Sequence, residues 1–155
     1  MSDGTIRIDH PLAQGACVDR GELWSFPEGL IGLPDFKSFA LLPLKDADPF
    51  RILCAADDPS VGIVVVDPAV LVPDYTLALS AADLGPLPSS GPDELEILVP
   101  VVLPSGQSPL SLNLKGPILF SRTTRIGIQR ISTDESHSVR FVPQAFGTGT
   151  PSCSS

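Results

Sequence analysis

The stretch FRILCAADDPSVGIVVVDP, residues 50–68, reads as two β-strands joined by a turn. Each apolar run is short and rich in Val, Ile and Leu, and an Asp-Pro pair follows each. Asp hydrogen-bonds the backbone ahead of it and Pro fixes φ, so the pair stops a strand and starts a turn. Val61 to Val66 is apolar at nearly every position, which predicts burial on both faces. The same punctuation recurs outward, with Asp-Pro at 48–49, 58–59 and 67–68 and Pro-Asp at 34–35, 73–74 and 92–93. Strands are predicted at Thr5 to Ile8, Glu22 to Phe26, Ser38 to Leu44, Phe50 to Ala55, Val61 to Val66, Tyr75 to Leu79, Leu95 to Leu103, Leu112 to Phe120 and Arg125 to Ile131. Leu95, Ile97, Val99, Val101 and Leu103 mark one inward face by alternation. Pro100 cannot donate to a ladder, so an edge position or a bulge is expected there.

Helical signals are sparse. Only Ser80 to Leu84, with Ser80 and Asp83 in capping-box spacing, reads as a short helical turn. Nine short strands fit an antiparallel β-barrel or a sandwich, and the expected fold is mainly β, a small single domain over residues 1–142. Residues 143–155, PQAFGTGTPSCSS, have little to bury and are expected to form a flexible low-complexity tail.

The 155 residues suit one domain, and a hydrophobic fraction of 43% against 18% charged is enough for a core. A net charge of −8 repels phosphate backbones and anionic lipids, which argues against direct nucleic-acid or membrane binding and favours basic partners. No apolar run approaches the roughly 20 residues that span a bilayer, and the start, MSDGTIRIDH, lacks signal-peptide character, so a cytoplasmic location is expected. Cys17, Cys54 and Cys153 are odd in number and lack CxxC spacing, which points to reduced thiols.

Catalysis needs a nucleophile, a base and an orienting group. Only His10 and His137 offer an imidazole, and both stand in polar, terminal segments. Cys54 with His137 is the one Cys-His pairing to weigh, but a cysteine inside FRILCAA reads better as a small core residue. Asp46, Asp48, Asp57 and Asp58 lack EF-hand spacing or a His partner, so they read as solvated turn carboxylates. Neither GxGxxG nor GxxxxGK[ST] is present. No catalytic residue, metal or cofactor is expected. The segment FPEGLIGLPD, residues 26–35, is too apolar for an ordinary loop and too broken by Gly and Pro for a strand. It is expected either to close one barrel end or to form a partner-binding rim.

These residues are also where the chain resembles the FliW family of flagellar assembly factors. The segment FPEGLIGLPDFKSFALLPL is similar to the family's FPxGxxGF-like stretch and the phenylalanine strand after it. Further likeness lies in Pro49-Phe50, Asp67-Pro68, Pro73-Asp74-Tyr75, Asn113 to Ile118, and Arg125, Gly127 and Gln129 in an RxGxQ pattern, from about Glu22 to Ile131. Leu53-Cys54-Ala55 stands where Leu-Gln-Ser is frequent, Ala69 where Phe is, His137 where Tyr is, and the serine-rich tail is not a family feature.

The resemblance implies a monomeric β-barrel that is not an enzyme. It would bind the RNA-binding regulator CsrA, relieve its repression of flagellin messenger RNA, and bind flagellin in a partner switch. Partner-binding candidates are Phe26, Pro27, Asp57, Asp58, Asp67, Asp74, Tyr75, Asn113 and Lys115. Phe26, Pro27 and Tyr75 offer apolar area, although Phe is more often core. The aspartates offer charge, and Asn113 and Lys115 offer a polar strand face, with a turn-binding role as the alternative for Asn113. A small-ligand-binding barrel and a Cys-dependent enzyme are the competing readings. The first requires an enclosed cavity and the second a reactive thiol.

Overall fold

The structure is a computed structural model, and it describes residues 5–8, 12–13, 16–44, 49–58, 60–77 and 95–143. Among the described residues ten strands run in chain order: β1 (Thr5–Ile8), β2 (Ala16–Asp19), β3 (Trp24–Ser25), β4 (Ser38–Pro43), β5 (Arg51–Ala55), β6 (Gly62–Val66), β7 (Leu95–Val102), β8 (Ser111–Leu112), β9 (Ile118–Ser121) and β10 (Ile126–Gln129). A 3₁₀ turn at Arg20–Glu22 and one helical turn, α1 (Pro68–Leu71), accompany them. The main sheet runs β6-β5-β4-β3-β10-β9-β7-β8, and a further β6–β7 pairing closes it into a ring of β3, β4, β5, β6, β7, β9 and β10. Closure removes the unpaired edges that an open sheet would expose. All pairings are antiparallel except the parallel contact of β3 with β10. Of the barrel and the sandwich that the strand pattern allows, the barrel implied by the resemblance is present.

Alternation along the ring sorts the apolar residues into layers. The lumen takes Trp24, Phe39, Leu53, Val65, Leu98, Ile118 and Phe120, and the Phe26 ring enters beside Gly127 of β10. Four of these rings meet edge to face: Trp24 with Phe120 at 4.8 Å, and Phe26 with Phe39 at 5.2 Å and with Phe120 at 5.7 Å. Such contacts add about 0.5–1.5 kcal/mol each beyond area burial. A second core lies on the outer face of β4 to β7, where Ala40, Ile52, Cys54, Val64, Val66, Val99 and Val101 are covered by Ile8, Leu110, Leu112, Leu114, Tyr75 and Phe141.

Several sequence expectations are corrected. The alternating face of β7 is apolar because it meets these outer layers: Val99 and Val101 join the second core, while the lumen takes Leu98. Pro100 is at neither an edge nor a bulge. It pairs with Val65, and its carbonyl accepts from Asn113 N at 2.9 Å. Its missing N–H falls where β7 changes partner from β9 to β8. The strand expected at 112–120 breaks into β8 and β9, because Asn113 Oδ1 accepts from Lys115 N at 3.1 Å and turns the chain.

Glu22 begins no strand, since Arg20–Glu22 is 3₁₀ and β3 has two residues. Residues 75–77 are not strand; residues 78–79 and the helical turn expected at Ser80 to Leu84 lie outside the described residues. The helical turn that forms, α1, is capped by Asp67, whose side chain accepts from Ala69 N at 2.9 Å with Pro68 at the first position. β2 had no sequence signal of its own and pairs with β1. Val64 to Val66 are buried on both faces, but Gly62 and Ile63 at the start of β6 are not. Pro143, assigned to the tail, is buried; residues 144–155 lie outside the described residues.

Candidate functional site

The FPEGLIGLPD segment closes one barrel end. Phe26 is fully buried and Leu30 is 2% exposed, so both plug the lumen while Ile31 stands on the rim. The fold of the segment depends on Gly29, at φ +69°, where an added Cβ would lie 2.7 Å from the Pro34 backbone. Two contacts from β10 and the residue after it hold the segment in place. Ile31 N donates to Gln129 Oε1 at 2.9 Å, and Arg130 Nη1 pairs with Glu28 at 2.8 Å. That hydrogen bond with Arg130 holds the Glu28 carboxyl below its usual pKa range.

An open mouth of about 270 Å³ lies beside this plug, lined by Ile31, Ile63, Pro100, Asn113, Lys115, Gly116, Gln129, Ile131 and Val139. Gln129 also donates from Nε2 to Gly116 O at 2.8 Å, so one side chain joins the loop to the 113–116 turn. The late Arg-x-Gly-x-Gln pattern thus has a physical role at each position. Arg125, at φ +58°, stacks its guanidinium 4.1 Å from the Trp24 ring centre, Gly127 makes room for Phe26, and Gln129 ties the mouth together.

The structure brings only Asn113 and Lys115 of the candidates into this mouth. Phe26 is corrected to a core residue, since a ring with no exposed surface meets no partner. Pro27 is exposed on the outer side of the loop. Asp57 and Asp58 are exposed on the β5–β6 turn, where Asp58 Oδ1 accepts from Ser60 Oγ at 2.6 Å. Asp67 and Asp74 are exposed at the other end of β6, about 16 Å away along a five-residue strand. The four aspartates therefore form two groups. Tyr75 is half-buried, donating to Leu114 O at 3.0 Å and stacking on His137 at 4.5 Å. Burial, with Asp134 nearby, pushes its phenol up to about 12. Ile31, Ile131 and Val139 were not singled out by sequence, because an isolated exposed aliphatic residue carries no local signal.

His137 is buried although its neighbours along the chain are exposed. It is 8% exposed, its Nδ1 lies 2.6 Å from Ser132 Oγ, and its Nε2 lies 3.6 Å from Asp134 Oδ2. Both ring nitrogens are thus engaged away from Cys54, which is fully buried in the second core. Burial pushes the Cys54 thiol up to about 11. At neutral pH Cys54 therefore rests as the thiol and not as the nucleophilic thiolate. Iodoacetamide should therefore alkylate the exposed Cys17 at least about 100-fold faster than Cys54. Peptide mapping by mass spectrometry measures this, and equal labelling would restore Cys54 as a reactive thiol.

The other barrel end is polar. Arg51 and Glu96 pair at 2.5 Å, and with Arg122, Arg125, Glu22 and Trp24 they line an open cleft of about 450 Å³. Between the two ends the aromatic rings fill the lumen. Among the described residues no group of three or more His, Cys, Asp or Glu could hold a metal, and no helix is long and apolar enough to cross a membrane.

Comparison with known proteins agrees with this architecture. The family model described as FliW protein matches residues 12–142. The flagellar assembly factor FliW of Nitratidesulfovibrio vulgaris strain DP4 is 37% identical over 117 residues, covering 75% of this chain and 68% of the relative. That of Carboxydothermus hydrogenoformans is 33% identical over 136 residues, covering 88% of each. A crystal structure of the flagellar assembly factor FliW superimposes with a TM-score of 0.77 at 24% identity, over 88% of this chain and 96% of that one. The last comparison bears on the fold, and the family match and the two relatives bear on descent. The chain belongs to the FliW family.

Proposed function

We propose that the chain is a cytoplasmic flagellar assembly factor that works by holding other proteins. In this reading it binds the RNA-binding regulator CsrA, relieves its repression of flagellin messenger RNA, and binds flagellin in exchange. It acts as a monomer, without cofactor, catalysis or direct contact with nucleic acid. Family membership over residues 12–142 carries the reading. Two physical features support it. The net charge of −8 and the exposed aspartates at both ends of β6 suit a partner whose surface is basic, which raises association rate and specificity more than affinity. The open apolar mouth supplies contact area of the kind a protein partner covers.

A switch works only if one ligand weakens the other, and by linkage the weakening is mutual and equal. Purified CsrA titrated into the chain alone, and into the chain saturated with flagellin, should differ in Kd by roughly five- to 150-fold, about 1–3 kcal/mol of coupling. Identical constants, or a stable ternary complex at stoichiometric concentrations, would remove the exchange mechanism and leave the family assignment standing.

A further inference from the structure

The mouth beside the Phe26 plug is built from aliphatic carbon and hydrogen-bond donors. Ile31, Ile131 and Val139 on its lining are 55%, 63% and 62% exposed. Single exposed aliphatic residues are ordinary, but three on one opening make a contiguous apolar surface that a partner is needed to cover.

The polar groups of the mouth share one chemical sense. Asn113 Oδ1 is occupied by Lys115 N–H, and Gln129 Oε1 by Ile31 N–H. Both carboxamides therefore turn their NH2 groups toward Gly116, where an added Cβ would lie 2.9 Å from Asn113 Nδ2 and 3.1 Å from Gln129 Nε2. Gln129 spends one hydrogen on Gly116 O, and Asn113 Nδ2 donates to no described residue. Among the described residues of the lining Lys115 is the one that carries charge, with Nζ donating to Asp134 O at 3.2 Å and the exposed Asp134 carboxylate close by. A purely apolar occupant would strip water from these donors without replacing its hydrogen bonds, and a basic one would face Lys115.

We propose that this mouth binds an apolar, acid-bearing segment of a partner protein. Its aliphatic side chains cover Ile31, Ile131 and Val139, a main-chain carbonyl or carboxylate oxygen meets the amides of Asn113 and Gln129, and an acidic residue lies near Lys115. Gly116 keeps the amide floor open, since an added Cβ would meet both NH2 groups. The inference rests on the reading that the chain works by binding proteins, and it assigns this mouth to an acidic, apolar segment.

The test is selection of a phage-displayed random dodecapeptide library on the full chain. The enriched peptides are then titrated against wild type, the double variant Ile131→Asp with Val139→Asp, and Gly116→Ala. The expected result is peptides rich in aliphatic residues with Asp or Glu and poor in Lys and Arg. They should bind each variant at least about tenfold more weakly, as removal of a central contact does. The rim variant changes only exposed residues and should keep its thermal midpoint, which separates lost contact from lost fold. Enrichment of basic peptides, equal affinity for the rim variant, or no enrichment at all would overturn the proposal. Failure of wild type to bind flagellin or CsrA would instead overturn the proposed function, while the peptide result remains readable without either partner.

Discussion

Phe26→Ala should lower the unfolding free energy by about 3–5 kcal/mol, seen as a reduced urea midpoint with an unchanged slope. The ring has no exposed surface and lies edge-on to both Phe39 and Phe120, so truncation leaves a cavity among rings that other strands hold in place. The ring also lies against the backbone of β10, since a Cβ on Gly127 would come within 2.4 Å of Phe26 Cζ. Gly127→Ala should therefore cost about 1–3 kcal/mol by overpacking when the ring is present. In the Phe26→Ala background the same change fills part of the cavity, and its cost should fall to near zero or reverse. The coupling between the two sites is expected to be at least about 1 kcal/mol. Additive effects, or a loss below about 1 kcal/mol for Phe26→Ala alone, would show that the plug does not hold the barrel end.

Gly29→Ala is expected to cost about 2–4 kcal/mol, well beyond the same change at Gly32. Both glycines have positive φ, at +69° and +88°, so alanine at either position carries about 1–2 kcal/mol of left-handed strain. They differ in their surroundings. Nothing lies within 4 Å of a Cβ on Gly32, whereas a Cβ on Gly29 meets Pro34 Cα and O at 2.7 Å. Backbone atoms cannot rotate away as a side chain does, so the loop itself must open. Opening withdraws Leu30 from the lumen and breaks the bond from Ile31 to Gln129, so the mouth should also lose affinity for its segment. Chemical denaturation of the two variants side by side measures the difference. Equal losses at both positions would show that the approach to Pro34 is relaxed at little cost.

Both variants act on a segment whose character was legible in the residues. Its apolar content and its Gly and Pro exclude an ordinary loop and a strand alike, and the plug satisfies both exclusions. Asp67 ahead of Pro68 was legible in the same way, because an Asp side chain reaches the backbone two residues on in any context. So were the strands β4 to β7, since each is a short run rich in apolar and β-branched residues bounded by turn residues, and alternation marks the β7 run besides.

The faces themselves were not legible. Leu98 and Val99 are equally buried, and only closure of β6 onto β7 decides that Leu98 enters the lumen and Val99 the outer core. Asn113 shows the limit from the other side. Its residue type fits a strand end or a turn, and the turn won because Lys115 N was within reach of its side chain. His137 reads as solvated among Thr133, Asp134, Glu135 and Ser136, yet Tyr75 stacks on it from another part of the chain. The mouth is the extreme case, with its central bond running from Ile31 to Gln129 across a sequence separation of 98 residues. Local sequence determines which backbone states are cheap and which side of a strand is apolar, because those energies involve near neighbours. Which apolar side meets the lumen, and which exposed aliphatic residues share one opening, depend on the ring of pairings, and no single strand encodes that ring.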